Sequence, residues 1–129
     1  MKKSLLTLLA VLLAAPLVPA QDKAATLKAL AETVRFGAVE AKIPALWVLA
    51  NARQLDEETL LAALRDASPS VRRNAAQAAA AAQRLTAPVV AQLVKQAGDS
   101  DQRARIEALL ALAYAPLTAA EATTLVAAY

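Results

Sequence analysis

Apolar residues recur along this chain at intervals of three and four positions, which is the spacing of helices rather than strands. Leu60, Leu61 and Leu64 form one such stripe, directly after the acidic residues 56–58. Acidic residues are favoured at the start of a helix. The pattern predicts an all-α chain with seven helices, at about residues 22–35, 39–53, 56–66, 69–84, 87–97, 101–113 and 118–128.

Polar residues and prolines between the stripes predict where several helices begin. Ser68 precedes Pro69, as expected for a capping serine followed by proline at the first helical position. Thr86 and Pro88 open the next helix in a similar way. Two further pairs have the spacing of a capping box: Asp99 with Gln102, and Thr118 with Glu121.

Three residues stand apart from this pattern. Pro44 falls in the second predicted helix, where it would remove a backbone hydrogen bond, so we expect the regular helix to begin nearer Lys42. Gly98 ends the fifth helix and can adopt the left-handed conformation that such an end often needs. Trp47, the only tryptophan, is expected to fill the core.

Part of the sequence repeats itself with an offset of 33 residues. The stretch LLAALRDASPSVRRNAAQAAA lies over LVKQAGDSDQRARIEALLALA, so that Asp66 falls on Asp99 and Arg72 falls on Arg105. An earlier, less regular copy contains AKIPALWVLA. It places Lys42 at the position of Arg72, with a shift of about 30 residues, but has no acid at the position of Asp66.

A repeated helix pair indicates a stack, because one pair cannot bury its own apolar stripe and needs neighbours. The sequence therefore predicts a right-handed α-solenoid. We expect about three helix pairs, at about 22–53, 56–84 and 87–113, followed by a partial unit at 118–129 that contributes a terminal helix.

The residues of the repeated corner have two interpretations. Asp66 lies before the corner and Arg72 after it, so the acid can accept hydrogen bonds from the turn or pair with the arginine. Together with Asp99 and Arg105, they would form a ladder along the stack that fixes the register between units. The alternative is that the acids are local caps and the arginines are solvated, since an exposed pair contributes only about 0–1 kcal/mol.

The first twenty residues, MKKSLLTLLAVLLAAPLVPA, have the pattern of a secretory signal, with two lysines, an apolar core and small residues before Ala20. An uncleaved membrane anchor is the alternative, but the apolar core of about 13 to 14 residues is shorter than the roughly 20 that span a bilayer. We therefore expect removal of residues 1–20, one repeat domain at 21–129, and a bacterial periplasmic or secreted protein without stable membrane insertion.

Removal of the signal changes the charge of the chain. Lys2 and Lys3 are two of the fourteen basic residues, so twelve would remain against eleven acidic ones. Because this balance is nearly neutral, we do not expect a nucleic-acid partner. Four arginines near the corners, Arg72, Arg73, Arg103 and Arg105, form either a basic edge for an anionic partner or ordinary solvated surface.

The composition leaves few groups for catalysis. The chain has no histidine and no cysteine, which excludes Ser-His-Asp and Cys-His sites, covalent haem attachment and ordinary zinc sites. Pairs of neighbouring acids occur at helix starts, where acids are expected for capping. We therefore expect no enzyme activity, no cofactor and no metal.

The corner sequence also resembles a known family. LLAALRDASPSVRRNAAQAA is similar to a HEAT repeat, which carries an aspartate in the turn, then valine-arginine, then alanines on the second helix. The resemblance covers most of residues 27–113. It implies an α-solenoid that serves as a scaffold for protein–protein interaction.

A longer stretch, AKIPALWVLANARQLDEETLLAALRDASPSVRRNAA, resembles the helical-repeat segment of large exported bacterial proteins that join a propeller-type dehydrogenase to a cytochrome c. This chain has no CxxCH motif and no propeller, and it has Pro44 where that segment often has histidine. The alternative to an independent scaffold is thus a helical spacer fragment of a larger exported quinoprotein or cytochrome c redox enzyme.

The end of the sequence, LTAAEATTLVAAY, predicts the first helix of a fourth pair. Leu125, Val126 and Tyr129 would then be open to water, so either the sequence is truncated or this end docks a partner or a second copy of the chain. We expect a protein partner, with self-association through the C-terminal helix as the other option. The candidate partner-binding residues are Arg73, Arg103, Leu125 and Tyr129.

Overall fold

The computed structural model describes residues 20–128, which form seven helices and no strand. They are α1 (Ala20–Phe36), α2 (Val39–Asn51), α3 (Glu57–Leu64), α4 (Pro69–Ala81), α5 (Ala87–Gln96), α6 (Gln102–Leu112) and α7 (Ala119–Ala127). The all-α prediction is confirmed, and every helix end lies within three residues of its predicted position. Apart from Ala20, the predicted signal lies outside the described residues, as does Tyr129.

The helices pack in pairs and also in two rows, one of first helices and one of second helices. Consecutive helices form the pairs α1–α2, α3–α4 and α5–α6. The first helices of the pairs contact one another in the order α1, α3, α5 and α7, and the second helices do so in the order α2, α4 and α6. None of the described helices has the length and apolar character needed to cross a membrane.

The core lies between the row of first helices and the row of second helices. Leucines of α2, α3 and α5 are among its largest fully buried side chains, including Leu46, Leu60 and Leu93. Helix α4, which is flanked by α2 and α6, buries Val71 and four alanines instead. Small side chains allow helix axes to approach closely, so α4 fits between two neighbouring helices.

Pro44 does not delay the start of α2, so the expectation of a start near Lys42 is wrong. The helix begins at Val39, and the amides of Ala41 and Lys42 already bond to the carbonyl of Ala38. Proline removes only the bond to the residue four positions earlier. That residue is Glu40, which lies in the exposed first turn, where water can satisfy its carbonyl.

The predicted caps hold in part. The capping box of Thr118 and Glu121 is confirmed. The predicted box of Asp99 with Gln102 is wrong, because the N-cap of α6 is Asp101, whose carboxylate accepts a hydrogen bond from the amide of Ala104. Ser68 and Thr86 occupy the N-cap positions of α4 and α5 without a side-chain capping bond.

Left-handed residues end two helices, but Gly98 is not one of them. Arg53 (φ 57°) follows α2 and Gln83 (φ 53°) follows α4, whereas neither glycine has a positive φ. After each left-handed residue, the next amide reaches back to a helix carbonyl: Gln54 N to Leu49 O at 2.8 Å, and Arg84 N to Ala79 O at 3.0 Å. This is the pattern of a Schellman end.

Candidate functional site

The aspartates of the two repeated corners have the same local environment. One carboxylate oxygen of Asp66 accepts a hydrogen bond from the amide of Ser68 at 2.9 Å. One oxygen of Asp99 accepts from the amide of Asp101 at 2.8 Å. Each bond closes a turn two residues ahead, as Asp side chains commonly do. The turn therefore holds both carboxylates in a fixed orientation.

The arginines that follow these corners are also held in the same way. Nη1 of Arg72 donates to the backbone oxygens of Asp66 and Ala67, at 2.9 and 3.0 Å. Nη1 of Arg105 donates to the backbone oxygens of Asp99 and Ser100, at 2.7 and 3.4 Å. In each unit the arginine thus ties the start of the second helix to its own corner.

Side-chain ion pairs join one unit to the next. Nε and Nη2 of Arg72 donate to the two carboxylate oxygens of Asp99, at 2.7 and 2.9 Å, in a bidentate pair between the second and third helix pairs. Nζ of Lys42 pairs with the carboxylate of Asp66, between the first and second. We call this series of corner residues, Lys42, Asp66, Arg72, Asp99 and Arg105, the corner ladder.

The side chains of Asp66 and Arg72 do not pair with each other. The sequence allowed Asp66 either to accept hydrogen bonds from its own turn or to pair with Arg72, and the structure shows the bond from its own turn. Arg72 contacts Asp66 through the backbone oxygen, and its charge is directed at Asp99 in the following unit.

The ion pairs of the ladder are largely shielded from water. The side chains of Arg72 and Asp99 are 16% and 9% exposed, and those of Lys42 and Asp66 are 13% and 8% exposed. The hydrogen bonds from Arg72 are the largest cause that lowers the pKa of Asp99 below its ordinary value, and burial opposes them. The same pair raises the pKa of Arg72. Both groups are therefore held in their charged forms.

Arg105 is the last basic residue of the ladder, and half of its fork is open. Its Nη1 is bound to its own corner, as described for Arg72. Within residues 20–128, Nε and Nη2 of Arg105 have no hydrogen-bond partner, whereas the same atoms of Arg72 hold a carboxylate. The charge of Arg105 also contributes to the lowered pKa of Asp99.

The remaining sequence-predicted site residues lie outside the corner ladder. Arg73 is half-buried and Arg103 is exposed, and neither forms an ion pair or a side-chain hydrogen bond with other described residues. Leu125 is half-buried and packs against the core through α7. Tyr129 lies outside the described residues. Arg73, Arg103 and Leu125 therefore lie on three different helices, α4, α6 and α7.

Helix α6 presents an apolar surface that the sequence analysis missed. Ile106 is 46% exposed and Leu110 is 57% exposed, and Leu109 between them is half-buried. These residues lie three and four positions apart and therefore share one side of the helix. At the equivalent positions, 33 residues earlier, α4 has Arg73, Ala76 and Gln77. The repeat alignment already contained this replacement of small and polar residues by large apolar ones.

Side chains that are buried or half-buried form further polar contacts between neighbouring units. The indole Nε1 of Trp47 donates to Oδ1 of Asn74 at 2.8 Å, so this half-buried side chain both packs on the core and links α2 to α4. Gln96 is buried, and its amide nitrogen donates to the carbonyls of Arg72 and Ala104. Its side-chain oxygen has no partner among the described residues.

A cleft of about 590 Å³ opens where α2 and α4 end. Arg53 and Arg84 line it, together with Asn51 and Gln83. Because two helix C-termini point toward it, their partial negative charge opposes anion binding there. In the part of the chain that the structure describes, no group of three histidine, cysteine or acidic side chains is arranged to hold a metal ion.

Comparisons with known proteins yielded no match to a family model, to a curated protein or to a solved structure.

Proposed function

We propose that this chain is an exported, non-catalytic scaffold: a HEAT-like α-solenoid that binds a protein partner through the surface of its last helices. Two features support the repeat interpretation. The first helices contact one another in succession, as do the second helices. The corner aspartates and arginines have the same bonds in successive units, and the ion pairs connect one unit to the next.

The corner ladder would give such a scaffold a fixed shape. A bidentate arginine–carboxylate pair has one preferred geometry, and it sets the position of one helix pair relative to the next. The pair of Arg72 and Asp99 is well shielded from solvent, so it would constrain the stack more than an exposed ion pair does. A partner would then meet a rigid surface, which lowers the entropic cost of binding.

The apolar side of α6 carries the proposal for partner binding. Ile106 and Leu110 are exposed, and they replace the polar residues Arg73 and Gln77 of the preceding unit. On α7, Val126 is 77% exposed. Ile106 and Leu110 lie one turn apart on the same side of α6, and adjoining exposed apolar residues of this kind mark protein interaction sites more often than scattered ones do.

Site-specific photocrosslinking tests this function. A benzophenone amino acid replaces Leu110 in one variant and Val48, an exposed apolar residue of α2, in a control. We expect irradiation in the exported fraction of the source cells to give a discrete adduct at position 110 and not at position 48. Equal adducts at both positions, or none at position 110, would contradict the proposal.

The export part of the proposal has a separate test. Sequencing the N-terminus of the chain recovered from outside the cytoplasm should give Gln21 as the first residue. Recovery of the intact chain from the cytoplasm alone would contradict export and would leave the binding surface unaffected.

A further inference from the structure

We infer that Arg105 binds a carboxylate of a partner polypeptide, and that the partner presents this aspartate or glutamate beside an apolar helix. The inference rests on the proposed function, because it names the chemistry of the partner that docks on α6. Its basis is the comparison of Arg105 with Arg72, its equivalent in the preceding unit.

Nε and Nη2 of Arg105 have no partner among the described residues, but the equivalent atoms of Arg72 bind a carboxylate. In both arginines Nη1 is fixed by the backbone oxygens of the preceding corner. This anchoring limits the rotation of the guanidinium group, so Nε and Nη2 of Arg105 are held for a ligand before it arrives. At Arg72 the same two atoms bind both oxygens of Asp99 at 2.7 and 2.9 Å. A carboxylate is the planar acceptor that matches this fork.

The surroundings of Arg105 identify the carboxylate as part of a polypeptide. Leu109 lies one helical turn from Arg105 and therefore on the same side of α6. Its equivalent in α4 is Ala76, which is fully buried, whereas Leu109 is only half-buried. A free small anion would fill the fork and leave this apolar surface in water. A helix that carries an acid at its corner would cover both.

A second copy of the chain is a poorer match for this surface. In a head-to-tail arrangement, the first corner of one copy would approach the last unit of another. That corner has Phe36 where the later corners have aspartate, and Phe36 is 78% exposed. The corner carboxylates of Asp66 and Asp99 are already paired within the chain. A second copy therefore has no free corner aspartate to offer to the open atoms of Arg105.

The test uses the chain labelled with ¹⁵N-arginine and follows the Nε–Hε signals by nuclear magnetic resonance. The probe is the acetylated and amidated tetrapeptide Gly-Asp-Ser-Asp, which is the corner sequence of residues 98–101. The matched control is Gly-Asn-Ser-Asn at the same ionic strength. We expect a saturable shift at Arg105 with the acidic peptide, at least about tenfold weaker binding of the control, and no saturable shift at exposed Arg103.

A pair of variants checks the geometry of the fork. Arg105→Lys keeps the charge and loses the bidentate donor, so the peptide should no longer perturb the methyl signals of Leu109. Arg103→Lys should leave that perturbation unchanged. The titration of the unmodified chain stands by itself if Arg105→Lys reduces stability.

Three results would overturn the inference. The Arg105 signal could move no more than that of Arg103, or it could respond equally to the acidic and the amide peptide. It could also shift with protein concentration in the absence of peptide, which would show a second copy in the fork. A saturable Arg105 shift without a crosslinked adduct at position 110 would leave the carboxylate site intact and count against the proposed scaffold function.

Discussion

Replacement of Arg72 by methionine gives the sharpest test of the corner ladder. Methionine keeps an unbranched apolar side chain that matches arginine as far as Nε, and it removes the guanidinium group. The substitution leaves the carboxylate of Asp99 without its bidentate partner, and that side chain is only 9% exposed. Removing one partner of a buried ion pair typically costs 3–5 kcal/mol, because the other charge remains desolvated.

We expect a loss near the lower end of that range, about 3 kcal/mol of the free energy of unfolding. The amide of Asp101 still donates to Asp99 at 2.8 Å, and the charge of Arg105 still acts on it. These two interactions offset part of the loss. For a chain of this size, 3 kcal/mol corresponds to a decrease in Tm of about 12 °C.

The assay is urea unfolding followed by circular dichroism at 222 nm, with Arg103→Met as the matched control. Arg103 is exposed and forms no ion pair with the described residues, so its replacement should change stability by no more than about 0.5 kcal/mol. A double-mutant cycle of Arg72→Met with Asp99→Asn should give a coupling energy of about 2 kcal/mol. Asparagine retains an oxygen for the amide of Asp101. If Arg72→Met costs no more than Arg103→Met, or the coupling is near zero, the ladder does not hold the units together.

Three further predictions concern pH, the glycines and a buried amide. The folded-state pKa of Asp99 lies below its unfolded value of about 3.9, so the stability that its carboxylate contributes is present above that pH and is lost as the pH falls through the folded value. Asp99→Asn should therefore flatten the fall in Tm below about pH 4. An unchanged pH profile of Tm would contradict this. Gly37→Ala should destabilise the fold by more than about 1 kcal/mol, because the new Cβ would lie 2.6 Å from the carbonyl oxygen of Thr33. The new Cβ of Gly98→Ala meets nothing closer than 3.5 Å, so this variant should be neutral or stabilise the fold by about 0.4–1 kcal/mol. Equal Tm values for the two variants would refute this contrast. Gln96→Met should change the free energy of thermal unfolding by less than about 1 kcal/mol, because it removes an unpaired buried oxygen along with two hydrogen bonds. A loss above about 2 kcal/mol would show that the two hydrogen bonds stabilise the fold by more than the unpaired oxygen destabilises it.

Local patterns were enough to locate the helices. The periodicity of the leucines and the position of Pro69 depend on residues a few positions apart, and α3 and α4 lie close to where they were expected. The offset of 33 residues also identified Asp66 with Asp99 as equivalent positions, and the same turn bond forms at both because each aspartate stands two residues before the N-cap of the next helix.

The N-cap of α6 and the left-handed residues at helix ends were predicted less well, because more than one nearby residue is suited to each position. Asp99 and Asp101 both precede α6, and either can cap a helix, but only one can occupy the position whose oxygen reaches the free amides of the first turn. Gly98 was expected to be left-handed because glycine adopts that conformation without steric cost. The structure places Arg53 and Gln83 in it instead, where the Schellman bonds offset the cost.

The sequence by itself determined seven helices, their order and the equivalence of the corner residues, because these depend on short-range spacing. Only the tertiary structure decided which charges meet. Lys42 and Asp66 are 24 residues apart, and Arg72 and Asp99 are 27 apart, so each base pairs with the acid of the following corner. For Arg72, the repeat makes that acid and the acid of its own corner, Asp66, equivalent in sequence, and only the packing shows which of the two the side chain reaches. The same packing left the fork of Arg105 open and the apolar side of α6 exposed. Whether a charged or apolar side chain is covered depends on which neighbouring element packs against it, and no local pattern contains that information.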